Sequence, residues 1–147
     1  MASSLKYILF PFVAWIACGS IKFAINFIRA GFDLQKARGL IGYGGFPSTH
    51  TTVVSSAVFF IGFEHGFDSS IFSLALAILI IVIMDAHGLR RNVGWHAEIL
   101  NRFTEKFPDQ IPNKKRVPLR ERMGHSYFEI SGGLMLGFFL ANLFSRF

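Results

Sequence analysis

The chain has 147 residues, of which 52% are hydrophobic and 16% are charged; it contains 18 Phe and carries a formal net charge of +6. A length of this order holds one domain, so we predict a single unit over residues 1–147. Because so many phenylalanines are difficult to bury in a small soluble core, the composition argues against a soluble domain and favours a protein of the lipid bilayer. The single cysteine, Cys18, excludes a disulfide framework and a cysteine metal site.

Four apolar segments have the composition of helices, and the longer ones approach the length that a membrane span needs. They run over residues 5–30, 50–64, 70–88 and 126–145. The first segment resembles a signal peptide, but Trp15, Lys22 and Arg29 interrupt it, so we interpret it as a retained helix. Four spans in succession predict an all-α fold, an integral membrane antiparallel four-helix bundle.

The connections of such a bundle lie on two faces, and the charges of these faces differ. Residues 31–49 and 89–125 belong to one face, and the 64–69 turn and both ends of the chain belong to the other. The first face carries Arg29, Lys36, Arg38, Arg90, Arg91, Arg102, Lys106, Lys114, Lys115, Arg116, Arg120 and Arg122. By the positive-inside rule we expect this face to be cytoplasmic, in a membrane of the bacterial inner-membrane type.

A long connection separates the third predicted helix from the fourth. It contains Pro108, Pro112 and Pro118 among residues of mixed charge. Because proline interrupts helices, we predict a loop over 89–124 with one short surface helix around 94–106.

The stretch GYGGFPSTH at 42–50 is the first feature of this face with chemical meaning. Glycines such as Gly45, together with the proline, permit a tight turn directly before a helix that begins near His50. A helix start offers unpaired N–H groups to an anion, and Ser48, Thr49 and His50 can add side-chain donors. The alternative is an ordinary Gly-Pro turn with a Ser/Thr helix cap.

The stretch DAHGLRR at 85–91 closes the third predicted helix. Asp85 ends a wholly apolar run, where a charge is costly unless it is paired or functional. Arg90 and Arg91 supply planar guanidinium groups that suit a phosphoryl group. The alternative is a positively charged membrane anchor with Asp85 as a local counter-ion.

The stretch GHSYFE at 124–129 opens the fourth predicted helix. His125 and Glu129 are four residues apart and share a helix face, so the carboxylate can accept a proton from one ring nitrogen. The other ring nitrogen is then free and more nucleophilic. The alternative is a histidine paired for structure at a helix N-terminus.

Lys22 is an ammonium group among apolar residues of the first predicted helix. It lies about two turns from Arg29, too deep to reach either interface easily, so a role in an internal site is the better interpretation. Two histidines with surrounding cations are what phosphoryl transfer without a metal needs: a nucleophile, an acid for the leaving oxygen, and stabilisation of the equatorial oxygens.

At these residues the chain resembles the phosphatidic acid phosphatase type 2 superfamily, which includes the vanadium haloperoxidases, and it is most similar to the small, divergent membrane branch. GGFPSTH is similar to G-G-M-P-S-S-H, DAHGLRRN to D-A-x-G-V-R-R, and GHSYFEISGGLMLG to G-H-T-P-x-E-V-x-x-G-x-x-x-G. Against the superfamily's P-S-G-H and H-x-x-x-D elements, Thr49 replaces Gly and Glu129 replaces Asp. The resemblance runs from about residue 10 to residue 140.

The resemblance implies that His125 is phosphorylated, that His50 protonates the leaving alcohol, and that Glu129 orients His125. It also implies that Arg90 or Arg91 holds the phosphate together with Ser48 and backbone N–H groups, although both arginines precede His125 by more than thirty residues. No Lys-x6-Arg-Pro element stands before PSTH. The candidates for its role are Lys22, Arg38 and Lys36.

The expected activity is therefore hydrolysis of a lipid-linked phosphate, such as phosphatidylglycerophosphate or a polyprenyl phosphate or diphosphate. We expect the lipid bilayer and a membrane lipid as partners, with no nucleic acid, no metal and no other cofactor. The small residues at 131–133 and Gly137 are compatible with close helix packing or with a homodimer.

Three alternatives use the same residues differently. A vanadate-bound haloperoxidase would need a site less suited to lipids, and a non-catalytic lipid- or anion-binding or transport protein would bind phospholipid without turnover. A metal site is disfavoured because the histidines are widely spaced. Its candidate ligands are His50, His87, His96 and His125.

Overall fold

The structure is a computed structural model that describes residues 2–39, 45–107 and 118–146. All regular elements of the described residues are helical, which confirms the prediction of an all-α protein for this part of the chain. They are α1 (Ala2–Arg29), α2 (Leu34–Gly39), α3 (Thr49–His65), α4 (Ser70–Met84), a π-helical turn (Asp85–Leu89), α5 (Arg90–Lys106) and α6 (Tyr127–Phe144).

Helix α3 lies at the centre and packs against α1, α4 and, most extensively, α6. Phe10 of α1 is buried between Phe60 of α3 and Phe144 of α6, with ring centroids 4.9 and 4.6 Å away. Ala14 and Cys18 follow Phe10 at intervals of four residues and are also buried, because this spacing places side chains on one face of a helix. The buried face of α1 therefore fixes this helix against the other two.

The contact between α3 and α6 is close because small residues face each other. Ser55 of α3 donates to the Gly133 carbonyl oxygen of α6 at 3.3 Å, and both residues are buried. The Thr52 hydroxyl is satisfied within α3 by the Ser48 carbonyl oxygen at 2.8 Å. Gly133 and Gly137 are therefore buried in close packing within the chain.

We predict that Gly137→Ala destabilises the protein by about 1–3 kcal/mol, the usual cost of overpacking. A Cβ at Gly137 would lie 2.8 Å from the Ser56 backbone nitrogen and 3.0 Å from the Thr52 carbonyl oxygen. The midpoint of thermal unfolding in detergent measures the effect. Gly19→Ala is the matched control, since a Cβ there meets no heavy atom within 4 Å. Equal midpoints for the two variants would contradict the packing described for α3 and α6.

The prediction of a loop beginning at residue 89 is wrong. The π-helical turn passes directly into α5, which begins at Arg90 rather than near residue 94 and continues to Lys106. No proline lies between residues 89 and 107, so no proline interrupts a helix in this stretch. Residues 108–117, with two of the prolines and the cluster of Lys114, Lys115 and Arg116, lie outside the described residues.

After residue 117 the described chain runs back along α5 without regular structure. Asn101 of α5 holds it in place: the side-chain oxygen accepts from the Leu119 backbone nitrogen, and the side-chain nitrogen donates to the Leu119 carbonyl oxygen, both at 2.8 Å. Gly94 of α5 is buried where the Glu121 backbone passes. This return segment, residues 118–126, places His125 just before the start of α6.

Helix α2 was not predicted. It begins after Asp33, whose carboxylate accepts from the backbone nitrogens of Gln35 at 2.9 Å and Lys36 at 3.1 Å. This is the hydrogen bonding of a helix N-cap, and the aspartate is the sequence signal that was missed.

Three helical stretches in the described residues are long and apolar enough to cross a membrane: Leu5–Arg29, Ser70–Lys106 and Tyr127–Phe144. Helix α3 is shorter, with 17 residues. Large apolar side chains are exposed on these stretches, among them Ile16, Ile81 and Phe139. Such surfaces suit hydrocarbon rather than water, as expected for an integral membrane protein.

Candidate functional site

One cavity of about 710 Å³ lies where several helix ends meet. It is bordered by α1 from Trp15 onward, the start of α3, the start of α5 and the segment before α6. Its volume falls in the range of small-molecule sites. Its charged and polar lining includes Lys22, Asn26, Thr49, His50, Arg90, Arg120 and His125.

His125 is firmly held at this cavity and is only 7% exposed. Its backbone nitrogen donates to the Ala86 carbonyl oxygen at 2.9 Å, and Nδ1 of its ring lies 3.3 Å from Glu129 Oε2. Nδ1 of His87 lies 3.3 Å from the His125 carbonyl oxygen. When His125 Nδ1 carries the proton and donates to Glu129, the lone pair resides on Nε2, which is the arrangement of a nucleophilic imidazole.

Burial is the main influence on the charge of His125 and lowers the pKa of its imidazole below the ordinary value. The hydrogen bond and the negative charge of Glu129 oppose this shift, whereas the positive charges of Lys22 and Arg90 add to the lowering of the pKa. The balance favours the uncharged ring, which is the form that keeps its lone pair.

His50 lies opposite His125 in the first turn of α3. The centroids of the two imidazole rings are 6.2 Å apart. His50 is exposed, and its Nε2 lies 3.4 Å from a terminal guanidinium nitrogen of Arg90. The two histidines therefore face a shared space that has a cation at its edge.

The π-helical turn explains why Arg90 reaches this space. A π-turn closes backbone hydrogen bonds between residues five apart, and the Arg90 backbone nitrogen donates to the Asp85 carbonyl oxygen. The same register brings the side chains together, so Arg90 Nε donates to Asp85 Oδ2 at 2.8 Å. Asp85 thus fixes the guanidinium while the terminal nitrogen beside His50 remains directed at the cavity.

Lys22 supplies a second cation from α1. Its Nζ donates to the Thr49 hydroxyl oxygen at 3.0 Å, and Cys18 Sγ lies 3.7 Å from the same oxygen. The prediction that Lys22 belongs to an internal site agrees with its place in the cavity lining. Thr49 in turn links α1 to the first turn of α3.

Three predicted phosphate-binding residues lie elsewhere. Ser48 is fully buried as the N-cap of α3, where its hydroxyl oxygen accepts from the Thr51 backbone nitrogen and from the Thr51 hydroxyl. Arg91 and Arg38 are exposed and do not line the cavity. The sequence left open whether Arg90 or Arg91 holds the phosphate, and of these two Arg90 lines the cavity.

Gly45 has φ of 100°, a conformation that glycine adopts without strain. It precedes the turn whose Ser48 backbone nitrogen donates to the Glu129 carbonyl oxygen at 2.9 Å. This bond joins the start of α3 to the first turn of α6, so the turn fixes the relative position of the two histidine-bearing helix ends.

Asn26 and Arg120 line the cavity but were not predicted as site residues. Asn26 follows Lys22 by four residues and shares its helix face, so a second polar side chain in an apolar helix was the available signal. Arg120 precedes His125 by five residues, a short separation of the kind in the superfamily pattern. In the described part of the chain, no three His, Cys, Asp or Glu side chains converge.

Comparison with known proteins agrees with the resemblance in the sequence motifs. The model of the Divergent PAP2 family matches residues 4–140. The chain is 30% identical over 114 residues to the uncharacterized membrane protein YuiD of Bacillus subtilis (strain 168), covering 71% of this chain and 72% of that protein. No solved structure matches. Because the family model spans most of the chain and includes every residue of the cavity lining, this membrane protein belongs to the divergent PAP2 family.

Proposed function

We propose that this protein is a membrane phosphatase that hydrolyses a lipid-linked phosphate through a phosphohistidine intermediate. The observation that carries the proposal is the pair of imidazole rings 6.2 Å apart at a cavity with a cationic lining. A phosphoryl group between the rings has a nucleophile on one side and a proton donor on the other. This is the arrangement that in-line displacement at phosphorus requires.

In the first step, Nε2 of His125 attacks phosphorus and the bond between phosphorus and the lipid oxygen breaks. His50 gives its proton to the leaving oxygen, which departs as the lipid alcohol. Glu129 accepts the hydrogen bond from Nδ1 of His125 and stabilises the positive charge that the ring gains. The products of this step are a phosphorylated His125 and a neutral His50.

In the second step, water attacks the phosphohistidine on the side that the alcohol has left. His50 takes a proton from the water, and the bond between phosphorus and Nε2 breaks. Inorganic phosphate leaves, and both histidines return to their starting protonation states.

The cations of the lining suit the charge of this reaction. Arg90 and Lys22 can hold the equatorial oxygens, and Arg120 lines the same cavity. Partial burial and, after it, the Arg90 guanidinium disfavour a positive charge on His50. A phosphate dianion bound between His50 and Arg90 offsets this penalty, so the substrate itself promotes the acid form of His50.

The proposal includes a membrane topology. Helices α1, α3, α4 and α6 would cross the membrane in alternating directions as a four-helix bundle, with the cavity near one surface. The cationic residues of the helix ends and connections predicted for that surface, including Arg29, Arg38 and Arg102, favour the cytoplasmic side of a bacterial-type inner membrane. Phosphatidylglycerophosphate and polyprenyl mono- or diphosphates are the substrate candidates, since each carries its phosphate at the membrane surface on a lipid anchor.

The test is phosphate release by the purified protein from a panel of lipid phosphates in detergent, with EDTA present and with vanadate as inhibitor. We expect release that needs no added metal and that vanadate blocks, because vanadate adopts the geometry of the phosphoryl group in the transition state. Binding of these lipids without any release would support a lipid-binding or transport protein instead and would contradict the proposal.

A further inference from the structure

The cavity extends beyond its cationic end. Its wall along α1 continues from Lys22 through Gly19 to Ile16 and Trp15. Trp15 precedes Lys22 by two turns, which corresponds to about 10 Å along the helix axis. The cavity thus has a polar end beside the histidines and an apolar arm that follows α1 away from them.

This apolar arm is open to the surroundings of α1. Trp15 and Ile16 are each 59% exposed although both line the cavity. They lie within Leu5–Arg29, one of the stretches apolar enough to cross a membrane. The arm is therefore continuous with the position that membrane hydrocarbon occupies around this helix.

Gly19 lies between the two ends of the cavity. It lines the cavity, and a Cβ built on it meets no heavy atom within 4 Å. Glycine inside a helix costs about 1 kcal/mol relative to alanine, so helix stability does not explain this residue. What it provides is open space on the path from the polar end to the apolar arm.

We infer that the hydrocarbon chain of the substrate lies along α1 in this arm, passes Gly19, and makes the site selective for lipid phosphates over water-soluble phosphate esters. The inference rests on the proposed function, because the phosphate is assigned to the end that contains His50, Arg90 and His125. The occupant follows from the cavity itself, in which a cationic end for a phosphate continues into an apolar arm for a chain.

The first experiment compares Gly19→Leu with Ala24→Leu, which adds the same side chain to an exposed position of α1 outside the cavity lining. The substrates are phosphatidic acid in mixed micelles and p-nitrophenyl phosphate. We expect Gly19→Leu to lower kcat/KM for phosphatidic acid roughly tenfold, the effect of excluding about two methylene groups. Hydrolysis of p-nitrophenyl phosphate should not change, and Ala24→Leu should match the unaltered protein on both substrates. Equal effects of Gly19→Leu on both substrates, or none on either, would overturn the inference.

The second experiment needs no turnover. The chain has 2 Trp, so Trp95→Phe leaves Trp15 as the single tryptophan, whose fluorescence is excited selectively at long wavelength. Its quenching is compared between a brominated diacyl phosphonate, whose carbon–phosphorus bond resists hydrolysis, and a brominated phosphatidylcholine. We expect stronger quenching by the phosphonate, lost with Gly19→Leu and retained with Ala24→Leu. Equal quenching by both lipids would overturn the inference even in an active phosphatase, whereas selective quenching without any phosphate release would contradict only the proposed function.

Discussion

Replacing His125 by Ala should lower kcat for phosphate release from a lipid phosphate by at least about 10⁴-fold, as loss of a catalytic nucleophile does in other enzymes. The substitution removes the nitrogen that forms the bond to phosphorus. The remaining cations can still bind the phosphate, but no phosphohistidine intermediate can form. The rate is measured with purified variants at saturating substrate.

His96→Ala is the matched control for the loss of a histidine. His96 is exposed on α5 and does not line the cavity, so its removal should leave kcat unchanged. The thermal unfolding midpoint of each variant separates loss of chemistry from loss of fold. A folded His125→Ala variant that keeps a substantial part of the activity would remove His125 from the mechanism.

Arg90→Ala should lower kcat/KM by roughly 10²–10³-fold, the range found when one donor to a developing charge is lost. The structure aims this guanidinium at the cavity: Nε is fixed by Asp85 at 2.8 Å, and a terminal nitrogen lies 3.4 Å from His50. Lysine should restore only part of the rate, because an ammonium group cannot hold Asp85 and a phosphate oxygen with the same planar geometry.

Arg91→Ala serves as the control for Arg90→Ala. The two arginines are adjacent and equally charged, but Arg91 is exposed outside the cavity lining. A general electrostatic attraction of the anionic substrate would be weakened similarly by either substitution. A specific contact predicts a large effect at Arg90 and a small one at Arg91, and the reverse order would contradict the geometry of the π-helical turn.

The parts of the fold that follow from apolar runs were predictable from the sequence. The segments predicted over 5–30 and 126–145 agree with α1 and α6 within a few residues at each end. The contact between His125 and Glu129 was expected from helix periodicity, but His125 precedes the N-cap Ser126 and lies outside α6, so the two residues meet at the helix start and do not share a helix face. These features depend on local sequence, which a single chain displays directly.

Other features depend on how segments of the chain are arranged in space, and they could not be predicted from local sequence patterns. Arg90 and Arg91 are adjacent residues of the same type, so the sequence does not distinguish them. The register of the π-helical turn directs Arg90 to the cavity. Serine is a common residue type both for helix caps and for phosphate ligands. In the structure the buried Ser48 hydroxyl accepts from the Thr51 backbone nitrogen and so caps α3. Arg120 reaches the cavity because the return segment is held against α5 by Asn101, a contact that joins positions far apart in the chain.

The most direct test is to trap the covalent intermediate. The protein is mixed with a lipid phosphate labelled in its phosphoryl group, quenched in alkali, in which phosphohistidine survives, and mapped by peptide mass spectrometry. The proposed mechanism predicts label on His125 during turnover, no label in His125→Ala, and normal label in His96→Ala. Turnover without any label on the protein, or label on a residue other than His125, would contradict it.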